Sequence, residues 1–207
     1  MRYLIGIDEA GRGALAGPVC VGAVLYPEDF DWQSAFALVT RPGRAGRDVP
    51  ILRDSKKLSA QQREVLYTHI TEHGRLRHAF ALVDAKAIDA VGIVNAAHEA
   101  AAVALSRLAV MPERVEVLLD AGLRVPERWT QCSIVRGDET VPAIALASIV
   151  AKVTRYRLME EIAPHYSEYR FEQHKGYGTL AHRRAIGTHG LCDVHRRSFC
   201  SSVLLGE

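Results

Sequence analysis

The sequence predicts an α/β layer fold built on a mixed sheet, and three observations carry that expectation. The first is a pair of apolar, β-branched runs at residues 2–8 and 18–26, joined by a glycine-rich loop as in an antiparallel hairpin. The second is the downstream alternation, in which strand-like runs at 77–84, 115–121 and 131–138 are interleaved with helical stretches. The third is size, since 207 residues at 48% hydrophobic suffice for one substantial core with no break marking a second domain.

Taken in order, the hairpin is followed by 28–53, whose Pro42, Gly43, Gly46 and Pro50 mark a long irregular connection with one helical turn near Trp32–Leu38. Ser59 with Gln62 three residues on is a capping box, predicting a helix over 60–73. "RHAFALVD" (77–84) is the third strand, and the Ala-rich Ile93–Leu108 stretch is a helix. "VEVLLDA" (115–121) and "QCSIVRGD" (131–138) are the last two strands. Pro142 suits a first helical turn and opens a long helix to about Ile162, and a final helix spans 179–188.

Composition narrows the function classes. No run of 18 apolar residues is present to span a bilayer, and the N-terminus starts on a strand rather than on a targeting pattern. Cys20, Cys132, Cys192 and Cys200 are scattered without metal-binding spacing and read as reduced thiols, so the expected address is cytoplasmic. The net charge of +2 excludes nothing, but its distribution is uneven. Segments 41–57 and 170–197 each carry six Lys or Arg against two acids, with Tyr166, Tyr169, Phe171 and Tyr177 in or beside the second. Basic segments interleaved with aromatics suit a polyanion, although solvated surface charge explains them equally well on charge alone.

The chemistry lies in the acids. Asp8 and Glu9 close the first strand, Asp120 the fourth, and Asp138 the fifth. If these strands are neighbours, the carboxylates gather at one sheet edge. Adjacent side chains of a regular strand point to opposite faces, so Asp8 and Glu9 converge only if the strand ends or bulges there. Clustered carboxylates without His or Cys call for hard cations, Mg²⁺ or Mn²⁺. Two such ions about 3.5–4 Å apart stabilise the attacking and leaving oxygens of a phosphodiester displacement. Strand-end caps or ion-pair partners are the plainer reading of any one acid alone. Gly11 and Gly13 permit close backbone approach to a ligand, or merely turn the hairpin.

At this point the sequence resembles a known family. "GIDEAGRG", "DSKKLS", "LLD", "RGDETVPAIALASIVAKVTR", "HKGYGTLAH" and "VHRRSF" follow in the order found in type II ribonucleases H (ribonuclease HII), across nearly the whole chain. The resemblance implies a ribonuclease-H-like fold, with a mixed five-stranded sheet flanked by helices. It also implies a C-terminal helical substrate-binding extension over about 163–207. The implied activity is endonucleolytic: cutting the RNA strand of RNA–DNA hybrids, and nicking duplex DNA 5′ to the RNA–DNA junction at embedded ribonucleotides, leaving 3′-hydroxyl and 5′-phosphate ends. Asp8, Glu9, Asp120 and Asp138 become the catalytic, metal-holding acids of a two-ion Mg²⁺ or Mn²⁺ site. Gly11, Arg12 and Gly13 become the grip on the 2′-hydroxyl, which separates RNA from DNA. Tyr177 becomes the ring that stacks on the sugar beyond the ribonucleotide, and Lys56 and Lys175 become phosphate contacts. Partners are then RNA–DNA hybrid and ribonucleotide-containing duplex DNA, with no membrane or obligate protein partner and a monomeric chain.

The chain departs from the family pattern at Ala14, Gly92, Ala121-Gly122 and Tyr156, none of which removes a metal-binding acid. Tyr156 stands where a carboxylate that would pair with Arg155 or a neighbouring base is common, leaving local ion pairing open. Three rival readings compete with this one. "HITEH" (69–73) matches a zinc-hydrolase pattern with His69 and His73 on one helix side, but no third ligand is evident. A non-catalytic hybrid-binding module gains nothing from four acids facing phosphates. Another nuclease of the same fold would share the acids but lack the Gly-Arg-Gly loop.

Overall fold

The computed structural model describes residues 2–36 and 58–204. Leu38, the Arg-rich 41–53 segment, Lys56 and Lys57 lie outside the described residues. The chain builds one five-stranded sheet from β1 (Tyr3–Ala10), β2 (Val19–Pro27), β3 (Arg77–Val83), β4 (Val115–Asp120) and β5 (Thr130–Ile134). The strand order is β3-β2-β1-β4-β5. β1 pairs antiparallel with β2 and parallel with β4, so the sheet is mixed. Helices α1 (Trp32–Phe36), α2 (Ala60–Glu72), α3 (Ala85–Val91) and α4 (Ile93–Arg107) precede β4, and α5 (Gly137–Thr140) and α6 (Pro142–Ile162) follow β5. The C-terminal part adds α7 (Phe171–His174), α8 (Leu180–His189) and α9 (Ser201–Leu204). Among the described residues no single helix is long and apolar enough to cross a membrane.

Two layers of helix cover the sheet because its central strands are apolar on both faces. Every residue of β2 is buried. Ile5, Ile7, Val19, Val21 and Ala23 pack against the small residues of α4, including Ala96, Ala97, Ala100 and Ala104. On the other face, Val24 and Tyr26 pack against α6 through Ala143, Leu146, Ala147 and Val150, and against α2 through Leu66 and Ile70. α6 lies almost on the sheet backbone. A Cβ on Gly6 would fall 2.6 Å from Ile144 N, and one on Gly22 2.9 Å from Ala151 N. That approach brings the polar residues of α6 to the end of β1.

Local signals explain most element boundaries. The Ser59–Gln62 capping box is formed in both directions, and Pro142 occupies the first turn of α6. α3 was not anticipated. Asp84, read as a strand end, caps it by accepting from Ala87 N–H at 2.8 Å. Gly92 then ends it at φ +81 and ψ 152, a conformation essentially confined to Gly. The fifth strand is also shorter than expected. It stops at Ile134, and Arg136, in the left-handed region at φ +55, turns the chain into α5. Asp138 therefore sits in the first turn of a short helix rather than on a strand.

The C-terminal segment docks on the loop between β1 and β2. Leu15 and Ala16 N–H donate to Gly176 O at 2.9 and 3.2 Å, and Gly17 N–H donates to Val194 O at 2.8 Å. Beneath these bonds lies a cluster of Leu15, Ala16, Met159, Tyr169, Phe171, Ile186 and Cys200. Two buried histidines tie α8 to the chain that follows. His182 Nδ1 lies 3.0 Å from Tyr177 O, and a carbonyl only accepts, so Nδ1 carries the proton. Cys192 N–H donates to His195 Nδ1 at 3.0 Å, leaving His195 Nε2 to donate to His182 Nε2 at 3.1 Å. Both rings are thereby neutral, and burial pulls both down to about 4 from an ordinary 6.5.

Candidate metal and nucleic-acid site

Three acids meet at the carboxyl ends of the two central parallel strands. Ligand oxygens of Asp8, Glu9 and Asp120 lie within 4.8 Å of one another. β1 is not bulged there, because its register with β2 runs unbroken from Tyr3↔Pro27 to Ala10↔Cys20. What ends is its other ladder. Pairing with β4 stops at Ile7↔Leu119, so Asp8 and Glu9 extend past the last pair along an open edge. Asp8 shares the α6 side with Gly6 and Gly22, whereas Glu9 has the parity of Ile5 and Ile7. Their carboxylates converge around that edge, beside Asp120 at the end of β4.

Asp138 is not one of these three. It is buried, one residue beyond Gly137, whose N–H donates to Asp120 Oδ1 at 2.9 Å. α5 thus anchors Asp120 and carries Asp138 on the same turn. Lys56 lies outside the described residues. Lys175 is described, but its Nζ pairs with Glu160 Oε1 at 2.8 Å and also donates to Glu172 O.

The acidic pocket is poorly compensated by protein groups. Asp8 is held far above the ordinary carboxylate range, first by burial and then by the charges of Glu9 and Asp120. A hydrogen bond from Ser148 and the charge of Lys152 oppose this only in part. Glu9 is raised as well, chiefly by burial, against the lowering effect of Arg12. Arg12 Nη1 reaches Glu9 Oε1 at 3.2 Å, while Glu9 Oε2 is buried with no hydrogen-bond partner. A buried carboxylate oxygen without a donor costs free energy unless a cation takes its lone pairs. An all-oxygen donor set suits a hard divalent ion, so the residues fit Mg²⁺ or Mn²⁺.

Sequence reasoning missed the residues that α6 contributes. Ser148, Lys152 and Arg155 recur at i, i+4 and i+7 along α6, whose other residues from Ala143 to Val153 are apolar, a stripe that periodicity alone would have exposed. Gly122 was noticed only as a departure. At φ +92 it supports Arg12, whose Nη1 would lie 2.8 Å from a Cβ there.

The loop beside the acids is shaped from behind by two buried arginines. Arg155 donates to Pro18 O at 2.8 Å and Ala16 O at 3.0 Å. Arg196 donates to Gly17 O at 2.9 Å and Arg12 O at 3.0 Å. Four loop carbonyls are thereby turned inward. Burial lowers both guanidinium groups, Arg196 to about 9. Beside Tyr156, Arg155 is held by these backbone carbonyls. Gly11, at φ +88, is required by Arg155, whose Cδ would lie 2.6 Å from a Cβ. Gly13 is exposed, and nothing lies within 4 Å of its Cβ position. Tyr177 reaches the same loop through a bridge to Ala14, and its ring centroid lies 5.1 Å from Arg155 Cζ. The "HITEH" pair does not form a centre of this kind. His69 Nε2 lies 2.8 Å from Ala35 O, and His73 packs edge-on to Phe30.

The fold has counterparts among known proteins. Residues 5–202 match the family model described as ribonuclease HII. The chain is 41% identical over 199 residues to ribonuclease HII of Bacillus mycoides strain KBAB4, and 42% identical over 199 residues to that of Bacillus cereus strain B4264. Each alignment covers 96% of this chain and 69% of the relative. The solved PCNA:RNase HII complex from Archaeoglobus fulgidus contains a similar chain, with TM-score 0.72, 25% identity and 94% coverage of both chains. Bst-RNase HIII in complex with Mn²⁺ shares the fold, with TM-score 0.67 at 17% identity, covering 99% of this chain and 70% of that one. The match to the family model across nearly all of the sheet and the C-terminal helices places the chain in the ribonuclease HII family of metal-dependent nucleases.

Proposed function

We propose that this chain is an endonuclease that cuts the RNA strand of RNA–DNA hybrids and nicks duplex DNA 5′ to the RNA–DNA junction at embedded ribonucleotides. The products carry 3′-hydroxyl and 5′-phosphate ends. One observation carries the reading: three converging carboxylates with an orphaned Glu9 oxygen lie next to a loop whose carbonyls are turned away from solvent. Asp8, Glu9 and Asp120, with Asp138 on the adjoining turn, would hold two divalent ions, Mg²⁺ or Mn²⁺. Such ions supply Lewis-acid stabilisation of a developing phosphorane charge and a nucleophile at neutral pH.

The chain's own groups do the selecting and aligning. The carbonyls of Arg12, Ala16, Gly17 and Pro18 are taken by Arg155 and Arg196 and the N–H groups of Ala14 to Gly17 are bonded within the fold, so the turn at Gly11, Arg12 and Gly13 is the part of the loop that offers N–H donors to a 2′-hydroxyl or phosphate. Gly13 leaves space for a sugar to approach the backbone. Arg12, paired to Glu9, keeps that carboxylate aimed at the acid cluster. The half-buried Tyr177 ring, steadied on Arg155, supplies a face for the deoxyribose beyond the ribonucleotide. Lys175 and Lys56 add phosphate contacts. Residues 163–207 act as the substrate-binding extension of a single 1–207 domain. The enzyme works as a cytoplasmic monomer without an obligate protein partner, in keeping with its four free cysteines.

The test is a duplex DNA containing one ribonucleotide, incubated with Mg²⁺ or Mn²⁺ beside all-DNA and hybrid controls. Cutting is expected 5′ to the junction, with the ends stated. Equal cutting of all-DNA duplex, or none at the ribonucleotide, refutes the reading. Asp138→Asn is expected to abolish cutting while the fold persists, and full activity would remove Asp138 from the site.

A further inference from the structure

Arg196 closes the loop from behind, and its own backbone is fixed on both sides. On one side its N–H donates to Leu15 O at 2.8 Å. On the other the chain enters a 3-10 turn, Arg197–Phe199, for which Arg196 supplies no capping side chain. Asp89, on α3 and 108 residues before Arg197, supplies the acceptor instead. Its Oδ2 accepts from Arg197 N–H at 2.8 Å, and its Oδ1 accepts from Ser198 N–H at 3.0 Å and from the Ser198 hydroxyl at 2.5 Å. A carboxylate suits the free N–H groups that open a helical turn. Its charge also favours the buried Arg196 guanidinium, against burial and the like charge of Arg155. From this clip Arg196 reaches Gly17 O at 2.9 Å and Arg12 O at 3.0 Å, with Cζ 5.3 Å from the Phe199 ring centroid.

We propose that Asp89 is a positioning residue for ribonucleotide recognition: by clipping the chain just past Arg196 it keeps that guanidinium on Arg12 O, and so fixes the turn whose N–H groups meet the 2′-hydroxyl. The inference deepens the proposed function and rests on its reading of Gly11, Arg12 and Gly13 as the ribonucleotide grip. A long side chain defines where a carbonyl sits only if the backbone it departs from is itself fixed. Leu15 cannot provide that reference alone, because it belongs to the loop being positioned. Asp89 can, because it stands on α3, which Ile88 seats in the core beneath the sheet. The acids of the metal cluster are not among the groups that Asp89 bonds. The effect therefore falls on telling ribose from deoxyribose and spares metal binding.

The experiment compares the unaltered chain with Asp89→Asn, which keeps the side-chain shape but turns one acceptor into an amide donor. It reads KM for a single-ribonucleotide duplex, the inhibition constant of the matching all-DNA duplex, and the rise of Tm on adding Mn²⁺. KM is expected to rise about 10-fold, the order of one hydrogen bond to a charged group, while the all-DNA constant and the Mn²⁺ response stay unchanged. In an Arg196→Lys background the same change is expected to add nothing, because Asp89 acts through Arg196. An unchanged KM in Asp89→Asn overturns the proposal. So do equal losses on both duplexes, a lost Mn²⁺ response, or a full effect in the Arg196→Lys background. Should Asp89→Asn fold poorly, Ser198→Ala removes the hydroxyl bond from the other side and is expected to raise KM about 2- to 3-fold. An unchanged KM there overturns the proposal as well. Arg196→Lys separates the two levels of inference. If its KM for the ribonucleotide duplex matches the unaltered chain, the reading of the turn as the grip falls; if KM rises while Asp89→Asn is silent, only the role of Asp89 falls.

Discussion

Gly11 and Gly13 flank one arginine, yet the structure assigns them opposite vulnerabilities. Gly11→Ala puts a methyl group where the Arg155 side chain lies, at a backbone φ of +88. Arg155 is fully buried and pinned by bonds to Pro18 O and Ala16 O, so it has nowhere to move without losing them. Left-handed strain costs about 1–3 kcal/mol, and two hydrogen bonds from a charged donor about 1.5–3 kcal/mol each. The expected destabilisation is therefore about 4–9 kcal/mol, against a total stability of about 5–15 kcal/mol for a typical domain. Gly13→Ala meets nothing within 4 Å and lies outside the left-handed region. Its effect on stability is expected to stay within about 0.5 kcal/mol. Its cleavage of the single-ribonucleotide duplex is expected to fall, because the methyl group would occupy the open space through which the proposed sugar contact is made. Urea unfolding followed by far-UV circular dichroism checks the first half, and steady-state cleavage the second. A Gly11→Ala protein within about 1 kcal/mol of the unaltered chain would refute the packing argument.

Other consequences concern charge. Burial and like charges hold Asp8 at about 8 rather than 3.8, so the metal-free native state keeps a proton that the unfolded chain releases. Metal-free stability is therefore expected to fall as pH rises from about 4 towards 8. Asp8→Asn should raise the Tm of the metal-free protein at pH 8 and abolish its rise on adding Mn²⁺; an unchanged Tm, or an undiminished Mn²⁺ response, counts against the cluster. His182 and His195 act in the opposite sense. Their folded values near 4 lie below 6.5, so the unfolded chain takes up protons first and stability falls as pH drops from about 6.5 towards 4. Each shift is worth up to roughly 3 kcal/mol. Urea titrations at pH 7.5 and 4.5 should show the loss, and a His182→Gln chain with the same pH slope would exclude the histidine pair as its source. Glu160→Gln releases Lys175 from its ion pair and is expected to lower KM for hybrid by about 2- to 3-fold, with a steeper salt dependence. A KM that stays put would show that Lys175 does not reach phosphate.

The limits of sequence reading follow the range of the interactions involved. The capping box at Ser59, the proline opening α6 and the hairpin of β1 and β2 were legible because each depends on neighbours a few residues away. α3 escaped because its cap, Asp84, reads as the end of a strand, and because seven residues carry little periodicity. The shortened β5 escaped because a left-handed Arg136 is not a residue type that announces a turn. At the site, the residue types of Asp8, Glu9, Asp120 and Asp138 were apparent from strand ends and motif order. How adjacent Asp8 and Glu9 come to share a focus was not, since that depends on where a different strand stops.

By itself, the sequence determined the chemistry on offer. Hard oxygen ligands, a glycine-rich turn and an exposed-looking tyrosine are properties of residue type and local order. Tertiary structure alone decided their assembly. Parallel pairing of β1 with β4 carries Asp120 to Asp8, α5 fastens Asp120, and α6 lies on Gly6 and Gly22 so that Ser148 and Lys152 reach Asp8 and Arg155 reaches the loop. It also divided the two glycines, one making room for a buried guanidinium and the other open to solvent. The physical reason is that burial, like-charge proximity and steric exclusion act through space, between segments whose separation along the chain says nothing about their distance in the fold.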